Sequence, residues 1–148
     1  MLRKDQTLRW ALLFSVIGVA LSLFSYLQHI GAASSTFCTI NETFNCDVVN
    51  RGPYGTFMGL PVSLIGVVGY GLLLAGFLVK IRKPADRELT QFLLMASVVG
   101  LVFAFYLTGI EAFVLHAYCL ICLVSQGTIL CTVFFTARLW NHEKRSNI

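Results

Sequence analysis

The sequence predicts an all-α integral membrane protein: a bundle of four transmembrane helices with an outer loop containing a short interfacial helix. Three observations carry this. Of 148 residues, 57% are hydrophobic and only 12% charged, against about 25% charged in soluble domains. The apolar residues gather into four stretches, each near or above the roughly 20 residues that cross a bilayer. The basic residues collect in one set of connections. Lipid offers no hydrogen-bond partner to a bare backbone, so the spans must be helices. The expected organisation is a single membrane domain over 1–148, with spans at 10–30, 59–79, 88–112 and 115–139 and an outer loop at 31–58.

The first span, Trp10 to Ile30, is apolar apart from serines, Tyr26, Gln28 and His29. Lys4 and Arg3 before it and Gly31-Ala32-Ala33 after it mimic a secretory signal. Its apolar core exceeds the roughly 7–15 residues of a signal segment, so the span is expected to be retained. Ser15, Gly18 and Ser22 are small enough to let another helix approach closely. His29, near the outer end, is either an interfacial polar residue or a group that tunes a thiol or a quinone.

The second span opens at Gly59-Leu60-Pro61, where proline suits a first helical turn because its missing N–H costs nothing. Gly66, Gly69, Gly71 and Gly76 permit tight packing or leave room for a flat ring. The connection K-I-R-K-P-A-D-R-E is charged and broken by Pro84, with Asp86 near the start of span three. Span three carries Ala96, Gly100, Ala104 and Thr108 at intervals of four, a small-residue stripe for helix contact. Tyr106 and Glu111 lie near its outer end. Glu111 is placed to hold the outer loop or to manage protons.

Topology follows from charge. Ten of the 11 Lys and Arg flank one side of the spans, and only Arg51 falls on the other. The positive-inside rule therefore puts both termini in the cytoplasm. Trp10 and Trp140 then sit as interfacial anchors. The loop 31–58 and the turn near 113–116 face outward, into an oxidising compartment.

That outer side carries the chemistry. The loop holds Cys38 and Cys46 in F-C-T-I-N-E-T-F-N-C-D, seven residues apart, a gap a turn can close into a disulfide. Such a bridge is either a structural staple or an exposed, exchanging pair. The stretch D-V-V-N-R-G-P-Y-G-T-F-M after it suits a short interfacial helix or loop, with Tyr54, Phe57 and Met58 facing lipid or covering a pocket. Span four opens with Y-C-L-I-C, so Cys119 and Cys122 are expected within its first turns, on one helix face. A C-x-x-C pair forms a disulfide, holds a metal or passes electrons. A helix N-terminus favours its thiolate, and burial opposes it. Ser125 and Gln126 follow one turn later, polar at membrane depth, so they must face protein, water or a ligand. Gln126 is either an interhelical hydrogen bonder or a donor to a quinone carbonyl. Cys131 reads as a small apolar residue.

With C-x7-C in the first outer loop, P-Y-G-T-F-M-G-L-P entering span two, Y-L-T-G-I-E-A-F closing span three and Y-C-L-I-C opening span four, the chain resembles the vitamin K epoxide reductase family, particularly its stand-alone bacterial-type members. The likeness covers nearly the whole chain. The other four-helix thiol–quinone family, partner of periplasmic disulfide oxidases, has the two pairs in reverse order.

The resemblance implies a mechanism. Cys38 and Cys46 match the shuttle pair, and Cys119 and Cys122 the catalytic pair. A separate thioredoxin-like protein attacks the shuttle disulfide at Cys38. Cys46 then attacks Cys119, Cys122 is released as a thiolate, and electrons reach a quinone from the membrane pool. Gln126, Glu111 and Tyr106 are the residues expected around the quinone. The setting implied is a bacterial inner membrane with its active site on the periplasmic side. An endoplasmic-reticulum membrane is the alternative, in which the sequon Asn41-Glu42-Thr43 becomes usable. Two departures stand out: Gly52 replaces the family's usual Ser or Thr, and Gln126 replaces the vertebrate quinone-binding tyrosine. No thioredoxin domain follows Ile148, which implies a separate donor.

Three other readings use the same residues. The protein reduces a quinone or its epoxide in a vitamin cycle; it holds a soft metal on four thiolates; or it is a structural bundle with two inert disulfides. The leading reading includes membrane lipid as surroundings, no metal and no nucleic acid.

Overall fold

The computed structural model describes residues 3–147. Four helices are long and apolar enough to cross a membrane. In chain order the elements are α1 (Lys4–His29), α2 (Cys46–Arg51), β1 (Thr56–Phe57), β2 (Leu60–Pro61), α3 (Val62–Arg82), α4 (Arg87–Ile110), one π turn (Glu111–Leu115) and α5 (Leu120–Ser146).

The helix α1 packs along both α3 and α5, and α4 packs on α5, whereas α3 and α4 touch only over a short length. The buried face of α1 is Thr7, Leu8, Ala11, Ser15, Gly18, Ser22, Ser25 and Gln28, mostly small residues, while Leu13, Val16, Ile17 and Leu23 point outward. Small residues inside and large apolar ones outside is the arrangement that lipid selects, because helix contact there depends on close packing. At Gly18 an added Cβ would strike the Tyr70 ring. That close approach seats Tyr70 against α1, and its hydroxyl donates to the Ser125 carbonyl at 2.8 Å. On α5, Thr128, Thr132 and Thr136 are buried, and each hydroxyl donates to the carbonyl four residues back.

At the basic end, a fully buried Lys80 lies 2.6 Å from Glu143 Oε1, which Lys4 also approaches at 3.3 Å. Lys80 donates to the Asp86 carbonyl as well. One buried carboxylate therefore ties α1, α3 and α5 to the turn at 83–86. Asp86 caps α4 by accepting from the Leu89 N–H at 3.1 Å. Trp10 stacks on Phe14 and Phe135, and Arg87 lies over the Trp140 ring.

Three element starts differ clearly from expectation. The first span begins at Lys4, ahead of Trp10. The second begins at Val62, not Gly59, because Thr56–Phe57 pairs antiparallel with Leu60–Pro61. Met58 and Gly59 form the two-residue turn with φ of 53° and 84°, the double positive φ of a tight hairpin. Pro61 therefore caps α3 from outside. The last helix starts at Leu120, not 115. The left-handed His116, φ 51°, ends the π turn, and residues to Cys119 are extended or irregular.

A cysteine relay above an apolar cavity

The loop is shaped to deliver sulfur to sulfur. Ser35 O accepts from the N–H groups of Cys38 and Thr39, which turns the chain at the first cysteine. Asn41 Oδ1 accepts from the Thr43 and Phe44 N–H groups, a local turn that needs no other element. The chain then lies beside the segment before α5: Tyr118 N donates to Thr43 O at 2.6 Å, and Asn45 N donates to Tyr118 O at 3.1 Å. This isolated parallel bridge at Phe44 and Tyr118 brings the segments that carry Cys46 and Cys119 together. Asn45 caps α2 through Val48 N–H, so Cys46 opens that helix, and Cys119 caps α5.

Cys38 and Cys46 form a disulfide with Cα atoms 5.6 Å apart. Cys46 Sγ lies 3.2 Å from Cys119 Sγ. Both bridge cysteines and Cys119 are fully buried. The bridge is therefore buried, which removes the exposure assumed in one of its two readings: Leu21, Phe24 and Leu115 pack against it.

Cys119 Sγ accepts from the Cys122 N–H at 3.4 Å, and the Cys119 N–H donates to Glu111 Oε2 at 3.2 Å. The hydrogen bond with the Cys122 thiol holds the Cys119 thiol below the ordinary thiol range, against the opposing effects of burial and of Glu111. The N-terminus of α5 acts in the same direction.

Below Cys122 lies a cavity of about 710 Å³, walled by α1, α3, α4 and α5. Its wall is mostly Leu, Ile, Val, Phe and Gly, with Ser25, Asn50, Tyr70, Thr108, Glu111 and Gln126 as polar groups.

A model of the vitamin K epoxide reductase family matches residues 9–137. The chain belongs to the vitamin K epoxide reductase family. No curated protein matches it. Membership in this family supports a membrane oxidoreductase, and the vitamin K epoxide reductase family is associated with quinones. The cavity fits such a group: it is long, apolar, and bordered at one point by the Cys122 sulfur.

The residues expected around a quinone separate here. Gln126 and Glu111 line the cavity. Tyr106 does not; it is 54% exposed and stacks on Phe103. The wall of α4 is Gly100, Phe103, Ala104, Leu107, Thr108 and Glu111, and Tyr106 is about half a turn away from that face. His29 touches no cysteine; its Nδ1 lies 2.6 Å from the Asn50 carbonyl.

Asn50 escaped sequence reading. Its Oδ1 accepts from Ser25 Oγ at 3.1 Å and its Nδ2 donates to Gln28 Oε1 at 3.3 Å, so a loop residue is locked into the cavity wall. A lone asparagine in a mixed segment carries no signal of this. Thr108 was legible only as part of a packing stripe. Its hydroxyl, with one proton to give, lies 2.5 Å from Gln126 Oε1 and 3.1 Å from the Ala104 carbonyl. Gly52, the departure from the family pattern, has a local cause: a Cβ there would strike the Val48 carbonyl oxygen.

The sulfurs of Cys38, Cys46 and Cys119 lie within 4.8 Å of one another, close enough to share a soft metal. With Cys38 and Cys46 bridged, two of those sulfurs have no thiolate to offer. This redox state suits exchange.

Proposed function

We propose that the protein takes electrons from a thioredoxin-like dithiol protein and passes them to a membrane quinone, supporting disulfide formation on the outer side of a bacterial inner membrane. The observation that carries the reading is the 3.2 Å contact between Cys46 and Cys119. Exchange requires a thiolate to reach a disulfide sulfur, and the step between Cys46 and Cys119 starts from that contact, whereas a partner's attack on the buried Cys38 requires the loop to open.

The relay runs as follows. A partner thiolate attacks Cys38 and releases Cys46 as a thiolate. Cys46 attacks Cys119 of the Cys119–Cys122 disulfide and releases Cys122. The second partner thiolate frees Cys38, which then attacks Cys46 and releases Cys119. The partner leaves oxidised, Cys38–Cys46 is bridged again, and Cys119 and Cys122 hold two electrons. The bridged loop with free Cys119 and Cys122 corresponds to this last state. A quinone bound in the cavity accepts two electrons and two protons, which re-forms the Cys119–Cys122 disulfide.

The test is an assay with purified protein, dithiothreitol as donor and a short-chain quinone as acceptor. Quinone should be consumed in step with dithiol. The reading fails if the four cysteines cycle between thiol and disulfide while no quinone is reduced.

Gln126 is the group placed to orient a quinone carbonyl. With its oxygen held by Thr108, both amide N–H donors are without a protein acceptor among the described residues. Thr108→Val removes the hold and lets the amide rotate. Losing one such hydrogen bond costs about 1 kcal/mol, so KM for quinone should rise about fivefold with kcat nearly unchanged. Thr108→Ser should restore it. A KM equal to wild type in Thr108→Val would remove Gln126 from this role.

A further inference from the structure

The relay leaves one buried group unused. Glu111 is 3% exposed, sits on the π turn that ends α4, and has no cationic partner among the described residues. Its Oε2 accepts from Cys119 N–H at 3.2 Å, and Glu111 and Cys122 line the same two cavities. It lines the large cavity. It also lines a second, separate chamber of about 30 Å³, with Asn50, Tyr54, Gly55, Leu115 and Cys122. That volume is about a water molecule's share of the liquid. Tyr54, 45% exposed, closes the chamber toward the surface. Glu111 thus shares the walls of both the large cavity and the small chamber with Cys122, and the half-exposed Tyr54 is part of the chamber's lining.

We propose that Glu111 is a catalytic residue that takes the Cys122 proton, hands it to the cavity, and exchanges protons with outer water through the chamber beneath Tyr54. The inference rests on the thiol–quinone reading above.

The balance is as follows. Before transfer, Cys119 is a thiolate, Cys122 a thiol and Glu111 a carboxylate. When the Cys119–Cys122 disulfide forms, the Cys122 S–H bond breaks and its proton moves to Glu111. The two electrons of the thiol pair leave for the acceptor. Glu111 releases that proton into the cavity, takes up one more from the chamber and releases it into the cavity as well. That second proton replaces the one Cys119 lost to water when it became a thiolate. Two electrons and two protons are delivered, and Glu111 returns to its starting state. The π turn supplies the geometry, because its wider coil sets Glu111 under the N-terminus of α5.

Glu111→Gln separates a proton role from a structural one, since the amide oxygen still accepts the Cys119 N–H. The titratable groups that face Glu111 are Cys119 and Cys122 from α5 and Tyr54 from the segment after α2; α4 and α2 present neutral residues there. The first readout needs no quinone: the rate of Cys122 alkylation by iodoacetamide, in the full-length protein, as a function of pH. If Glu111 accepts the proton, Glu111→Gln slows alkylation near neutral pH, and the two proteins converge at high pH. If Glu111 is only a buried charge, its removal favours the thiolate and alkylation becomes faster. Equal or faster alkylation overturns the proposal. The second readout is quinone reduction, where Glu111→Gln should lower kcat about 100-fold, as loss of a general acid–base group does, with partial rescue by Glu111→Asp. An unchanged kcat also overturns it. Failure of the wild-type protein to reduce quinone would instead sink the thiol–quinone reading, and the alkylation result would still stand.

Discussion

Replacing Cys122 by serine is expected to reduce thiol-driven quinone reduction to the rate without enzyme, and to trap a Cys46–Cys119 disulfide, formed when the Cys119 thiolate attacks Cys46 and releases Cys38. The cause is geometric. Cys119 has the bridged loop sulfurs on one side, Cys46 at 3.2 Å and Cys38 within 4.8 Å, and Cys122 in the first turn of α5 on the other. When Cys119 is joined to Cys46, only Cys122 is placed to resolve the bond toward the cavity. Serine fits the same space and cannot exchange. Removal of a nucleophile from a covalent sequence removes the pathway, not merely part of its rate. Mass spectrometry of peptides cut without reduction should show the 46–119 pair accumulate. Retained quinone reduction, or cross-linked peptides joining Cys38 to Cys119, would contradict this order of sulfurs.

The second large effect is selective. Cys38→Ala should abolish electron entry from a thioredoxin-like donor and leave dithiothreitol-driven quinone reduction in place. A protein thiol must be received by a sulfur in the loop, next to the exposed Phe37. A small dithiol can reach Cys122 through the cavity. The variant also opens a loop with a sequence separation of 8 between its bridged ends. Losing such a bridge costs about 2–4 kcal/mol at most of unfolding free energy. The backbone bonds joining Thr43, Asn45 and Tyr118 do not depend on it, so the fold should persist. Comparing donors in one preparation controls for any stability loss. Equal rates from both donors in Cys38→Ala would show that the partner enters elsewhere.

Much of the architecture was legible. The four spans, the collection of basic residues at one end and the order of the two cysteine pairs all come from short-range properties of the chain. Element starts were less legible. Gly59 and Pro61 look like a helix entry, yet they belong to a hairpin whose turn depends on positive φ at Met58 and Gly59. Cys119 looks helical by spacing, yet it is the cap. Rotation about a helix axis was harder still. Glu111 and Tyr106 are close in sequence and face different surroundings, because one lies on the α5 side of α4 and the other does not. Lys80 read as one more topological charge, whereas it is buried against Glu143.

The sequence by itself determined that this is a four-helix membrane protein of the vitamin K epoxide reductase family with two cysteine pairs near one membrane boundary. Hydropathy, charge and cysteine spacing are properties of contiguous residues, so no partner element is needed to read them. Only the tertiary structure decided that Cys46 meets Cys119 across 73 residues, that the loop bridge is buried, and that Asn50, Thr108 and Glu111 share walls with Cys122. Those facts depend on where each helix starts and how it is turned against its neighbours. Caps, the π turn and the Phe44–Tyr118 bridge set both, through contacts that join distant parts of the chain.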